Sequence, residues 1–157
     1  MCYTDTDSLI LKIDTEDLYR DMALSKHLYD FSNYTNDHFI YSEENQGKLG
    51  TFKDECQSKP IEELVALRAK MYAFVLADKA ETVTAKGMKT RNLRFQQYKQ
   101  TLINRTKPMS EMHVLRSYDH QIHMVKILKT GLSAFEDKRY HLDSVHSLSY
   151  GHKDIQK

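Results

Sequence analysis

The chain has 157 residues, 40% of them hydrophobic and 29% charged, with a formal net charge of +1. That length suits one domain with a modest core or pieces of two, and the composition excludes a low-complexity chain and a disulfide framework. No apolar run approaches the roughly 18–20 residues needed to span a bilayer, no basic-then-apolar leader opens the sequence, and Cys2 and Cys56 are isolated thiols. The expected setting is therefore the cell interior, with no membrane partner.

The small net charge hides a division along the chain. Residues 1–63 hold fourteen Asp and Glu against six Lys and Arg, a balance of −8. Residues 82–110 hold no acid and seven bases: Lys86, Lys89, Arg91, Arg94, Lys99, Arg105 and Lys107. An acidic half can hold cations, whereas a basic stretch without interleaved acids points to phosphate or nucleic-acid contact.

Residues 8–13 (SLILKI) are short, apolar and bounded by polar residues, which reads as a strand. Asp14, Thr15, Glu16 and Asp17 then supply a cap and an acidic first turn for a helix carrying Leu18, Tyr19, Met22 and Leu24. Residues 25–47 are polar and aperiodic and read as a loop. Residues 49–56 (LGTFKDEC) read as a second strand.

Residues 61–76 (IEELVALRAKMYAFVL) admit two readings. Pro60 followed by Glu62 and Glu63 resembles a helix start. From Leu67 onward, however, apolar and polar positions alternate, and a strand is the favoured reading; it places Arg68, Lys70 and Tyr72 on one face. Residues 83–87 read as a strand ending in a turn at Gly87, followed by a helix over 91–104 capped by Thr90. Residues 113–117 and 120–128 read as strands joined at Tyr118-Asp119, and the chain after Ser133 reads as loose.

The opening Asp5-Thr6-Asp7 admits several chemistries. An EF-hand loop beginning at Asp5 would need Gly at its sixth position, where Ile10 stands. A dehalogenase-type phosphatase places its Asp-x-Asp after a hydrophobic strand, and only Met1, Cys2, Tyr3 and Thr4 precede this one. A sugar-nucleotide transferase motif is equally short, and a bare polar turn between strands is the plainest alternative. His113, His120 and His123 lack a convincing metal-ligand spacing and read as exposed strand residues.

The longer string is more specific. Tyr3-Thr4-Asp5-Thr6-Asp7-Ser8, followed by aliphatic residues, closely resembles the YxDTDS motif of family B DNA polymerases, where it forms a palm hairpin. The resemblance implies that Asp5 and Asp7 are catalytic carboxylates that hold Mg²⁺. Two such ions, about 3.5–4 Å apart, stabilise the attacking and leaving oxygens of nucleotidyl transfer. Further segments follow in order: Leu49-Gly50-Thr51-Phe52-Lys53-Asp54-Glu55, Leu67-Arg68-Ala69-Lys70-Met71-Tyr72 and Ala85-Lys86-Gly87 resemble the post-catalytic region of protein-primed members. These are the polymerases of certain phages, linear plasmids and self-synthesising DNA transposons. Lys70-Met71-Tyr72 matches their KxY motif, whose Lys and Tyr contact the primer strand near its 3′ end. Asp137-Lys138-Arg139-Tyr140 and Tyr150-Gly151-His152 resemble the transposon-type C-terminus.

The expected fold is α+β: an incomplete antiparallel palm sheet with helices over residues 1–84, then a basic thumb-like subdomain over 85–157. As part of a larger enzyme, such a chain should expose palm surface that is normally covered and be marginally stable in isolation. Arg68, Lys70, Tyr72, Lys86, Lys89, Arg91 and Arg94 are the expected DNA contacts. The implied partners are primer–template DNA, deoxynucleoside triphosphates and, on the resemblance alone, a terminal protein as primer. The family's proofreading domain, a further metal-binding Asp and a fingers Lys for the triphosphate find no counterpart here. The expectation is thus a C-terminal portion of a DNA polymerase, inactive alone; the alternative is a non-catalytic DNA-binding relic of a viral or transposon polymerase.

Overall fold

The structure, a computed structural model, describes residues 1–135 and 139–155. Among the described residues, runs of strands are interrupted by two α-helices, and the pairing is mostly antiparallel, an α+β arrangement. The chain divides into two compact units: Met1–Glu63 with Val75–Ala80, and Leu64–Phe74 with Glu81–Lys157. The boundary expected at residue 84 falls inside the second unit. Among the described residues, no helix is long and apolar enough to cross a membrane.

In the first unit, β1 (Tyr3–Asp5) and β2 (Ser8–Ile10) form an antiparallel hairpin, with Tyr3 opposite Ile10 and Asp5 opposite Ser8. The expected strand over 8–13 stops at Ile10, where the pairing reaches the start of β1; Leu11 and Ile13 are about half exposed. Helix α1 (Leu18–Leu24) starts where the acidic cluster predicts. The Asp17 carboxylate accepts the backbone N–H of Tyr19 and of Arg20, each at 3.1 Å, and so satisfies two of the helix's unpaired donors.

A 3₁₀ turn (Lys26–Leu28) leads into β3 (Tyr29–Asp30), which pairs in parallel with β4 (Phe52–Lys53). The expected strand over 49–56 is therefore only two residues long. The reason is local: Asp54 accepts the backbone N–H of Cys56 at 2.8 Å and of Ser58 at 2.9 Å, curling the chain away from a ladder. The segment read as a loop, 25–47, is largely irregular but supplies most of the buried cluster of the first unit. Phe31, Tyr34 and Ile40 bury themselves with Met22 of α1.

The buried Tyr34 hydroxyl donates to Asp54 at 2.7 Å. Burial, reinforced by that carboxylate, pushes the Tyr34 phenol well above its ordinary value. Asp54→Ala removes the acceptor of Tyr34 and of two backbone donors together. We expect a loss of about 2 kcal/mol in urea unfolding, because buried donors left unpaired keep their desolvation cost. A change under 0.5 kcal/mol, on the order of an ordinary surface substitution, would contradict this role.

The strands β5 (Ile61–Arg68), β6 (Met71–Leu76) and β7 (Glu81–Ala85) lie side by side in that order. Both β5 and β6 contribute residues to the two units. The helix reading of 61–76 is excluded, and the single-strand reading is corrected as well, since the chain reverses at Ala69-Lys70. Val65, Leu67, Met71 and Ala73 are buried, in the alternation expected of strands with one covered face.

Helix α2 (Phe95–Ile103) is shorter than the expected 91–104. It begins after Arg94, whose backbone N–H is taken by the Gln97 side chain at 2.8 Å, rather than after Thr90. Its buried residues Phe95, Tyr98 and Thr101 recur every three positions, the spacing of one helical face. The Tyr98 hydroxyl donates to the Thr84 carbonyl of β7 at 3.0 Å, and Glu81 of β7 accepts the Phe95 N–H at 3.1 Å.

Strands β8 (Met109–Tyr118) and β9 (Gln121–Thr130) form a long antiparallel hairpin turning at Asp119-His120, longer than the two expected strands. Its base is held by backbone bonds from Gly131 to Pro108 at 2.8 Å and from Ala134 to Thr106 at 3.2 Å. Along its length it is largely exposed, including the cross-strand pair Leu115 and Met124. The tail read as loose holds a further hairpin, β10 (Arg139–His141) with β11 (Ser147–Ser149). Asp143 closes its turn by accepting the N–H groups of Val145 and His146, each at 2.7 Å. Asp137 and Lys138 of the C-terminal resemblance lie outside the described residues.

Candidate functional site

The first candidate region is the β1–β2 turn in the first unit. Asp5 ends β1, Thr6 and Asp7 form the two-residue connection, and Ser8 opens β2. Thr6 has φ +59°, as the first loop residue of a tight hairpin can require, though a β-branched side chain seldom adopts it. Ser8 supports the turn by donating its hydroxyl to the Asp5 carbonyl at 3.1 Å. The Thr6 hydroxyl goes instead to the Asp5 carboxylate, at 3.3 Å. Asp5 is half-buried and Asp7 is exposed.

Two carboxylates on one turn are hard oxygen donors. Mg²⁺ commonly takes one or two protein carboxylates and completes its shell with water and substrate phosphates, so the donor chemistry of Asp5 and Asp7 fits that ion. Among the described residues, no group of three or more His, Cys, Asp or Glu is gathered closely enough to hold a metal by itself. His113 and His123 stand on opposite faces of the β8–β9 hairpin by register, and His120 lies in its turn with φ +59°.

The second region is the β5–β6 turn in the second unit. Arg68 ends β5, Lys70 sits in the turn with φ +57°, and Tyr72 lies on β6. The three residues thus do not line one face of a continuous strand; a reversal gathers them at one end of the sheet. Tyr72 stacks beside Phe74, two positions along the same strand, with ring centroids 6.3 Å apart and planes 7° from parallel. The Lys86 backbone N–H donates to the Lys70 carbonyl at 2.9 Å, which brings the end of β7 to the same turn.

The result is an open concavity of about 410 Å³ lined by Arg68, Lys70, Lys86 and Lys129, with Met71 and Gly87 among its walls. Lys129 comes from β9 and was missed in the sequence; no linear motif connects it to Lys86. Lys89 and Arg91 lie exposed in the connection after β7, and Arg94 precedes α2 with its guanidinium donating to the Leu93 carbonyl at 3.0 Å. Two other bases of the acid-free stretch sit over rings: Lys99 over Phe95 at 6.0 Å and Lys107 over Phe135 at 4.9 Å.

The two regions have opposite charge and complementary chemistry: one offers oxygen donors to a cation, the other ammonium and guanidinium donors to an anion. Compared with known protein families, curated proteins and solved structures, the chain matches none.

Proposed function

We propose that the chain is part of a DNA-directed DNA polymerase, contributing a palm hairpin and a thumb-like DNA grip to template-directed nucleotidyl transfer. The observation that carries this reading is the two-residue turn that presents Asp5 and Asp7 from a YTDTDS string. In this reading Asp5 and Asp7 hold Mg²⁺, which when bound supplies charge stabilisation to the oxygens exchanged at phosphorus. Thr6 and Ser8 keep the turn closed. Arg68, Lys70 and Lys86 neutralise phosphates of the primer–template, Tyr72 packs against its sugars or bases, and Lys89, Arg91 and Arg94 extend the electrostatic footprint. The remaining metal-binding Asp and the residues that grip the triphosphate belong to other parts of such an enzyme.

The experiment pairs primer extension with a gel shift, using the purified chain, Mg²⁺ and all four deoxynucleotides. Salt-sensitive binding of primer–template DNA is expected. Lys70→Ala/Tyr72→Ala should weaken it by about tenfold, since a stacked aromatic alone contributes about 1–3 kcal/mol. No extension is expected from the isolated chain. Extension abolished by Asp5→Ala/Asp7→Ala would show that it needs no other part. Absence of DNA binding would sink the reading.

A further inference from the structure

We propose that Lys129 is the fourth cation of a seat for one phosphodiester phosphate, built by Arg68, Lys70 and Lys86 around Gly87. The phosphodiester assignment rests on the nucleic-acid reading above; the anion chemistry of the seat does not.

Four observations support it. First, four basic side chains from three separate stretches of chain line one concavity, and no acid is among the described residues that line it. Second, the Lys129 ammonium approaches the Gly87 carbonyl at 3.5 Å. That carbonyl takes one of three ammonium donors, so the group is oriented while donors remain for a ligand oxygen. Third, Gly87 keeps the space open. Its φ of +82° disfavours any side chain, and a Cβ there would lie 3.1 Å from the Lys129 ammonium. Fourth, the two lysines of β9 are treated differently. Lys126 is paired with Glu111 at 2.7 Å, whereas Lys129 stands opposite Ser110 in the register.

The openness of the concavity selects among anions. A small metabolite is usually held in a pocket that buries most of its surface. A phosphate that belongs to a polymer needs only a groove it can pass through, and clustered cations attract it by releasing condensed counterions.

The test is fluorescence anisotropy of labelled primer–template DNA with the full chain, comparing Lys129→Gln with Lys126→Gln. The control should stay within twofold of wild type. Lys129→Gln should weaken binding five- to tenfold and flatten the plot of log affinity against log salt by about 0.9, one phosphate contact in duplex DNA, between about 50 and 200 mM salt. Equal behaviour of the two variants would overturn the proposal. If wild type does not bind DNA, the polymerase reading fails and inorganic polyphosphate becomes the probe. Polyphosphate binding lost selectively in Lys129→Gln would uphold the seat; no polyphosphate binding, or no difference between the variants, would overturn it.

Discussion

Tyr98→Ala is expected to destabilise the second unit by about 3–5 kcal/mol, the range for deleting a large buried ring. Tyr98 is fully buried on α2 and its hydroxyl holds the Thr84 carbonyl of β7, so the substitution leaves both a cavity and an unpaired acceptor. Tyr98→Phe separates the two effects. It keeps the ring and should cost about 1 kcal/mol, the net value of one hydrogen bond. Urea unfolding read by circular dichroism would rank the two variants. Similar losses for both would mean that the hydrogen bond, rather than ring packing, dominates.

The same residue predicts an alkaline limit. Burial pushes the Tyr98 hydroxyl from its ordinary 10.0 up to about 12. The folded state therefore keeps a proton that the unfolded chain releases. The associated stability is fully present below pH 10.0 and is lost as pH rises toward about 12. Tyr98→Phe should lose less stability over that interval than wild type does.

Asp30→Ala is the second large effect, in the first unit. Asp30 is only 4% exposed, and its carboxylate accepts from the Ser32 N–H at 2.9 Å, the Gly47 N–H at 3.1 Å and the Lys53 ammonium at 3.2 Å. These contacts tie β3 to β4 and to the turn at Gly47. Breaking a buried pair costs about 3–5 kcal/mol. The lower end, about 3 kcal/mol, is expected here because Lys53 is 38% exposed and can recover water.

Hydrogen bonding by the Ser32 side chain holds the Asp30 carboxyl well below its ordinary 3.8; burial opposes this, and the Ser32 and Gly47 amides and Lys53 add to the lowering. A depressed carboxylate stabilises the fold above the unfolded value and ceases to do so as pH falls through the folded one. Wild type should therefore lose stability below pH 3.8, with Asp30→Asn showing a flatter acid limb. Parallel acid limbs in the two proteins would contradict this assignment.

What the sequence by itself determined was local. The acids at 14–17 placed the start of α1 within a residue, because a cap acts on donors two and three positions away. Ser8 and the Asp-Thr-Asp string marked a polar turn, and Gly87 marked the end of β7, where φ is +82°. The strands around Tyr118-Asp119 were legible from alternation, although both run further than the pattern implied. The charge division was legible by inspection, as was the string that resembles a polymerase motif.

Only the tertiary structure decided the rest. Ala69-Lys70 carries no Gly, Asn or Asp, so its reversal left no turn signal, and Lys70 takes φ +57° within a hairpin whose flanking strands bury Leu67 and Met71. Residues 25–47 lack any period because their apolar side chains converge irregularly on Met22 rather than along one face. Lys129 reaches Gly87 across 42 positions of chain. Caps and turns arise between near neighbours and can be read along a string; a concavity arises between residues that are neighbours only after the strands have paired.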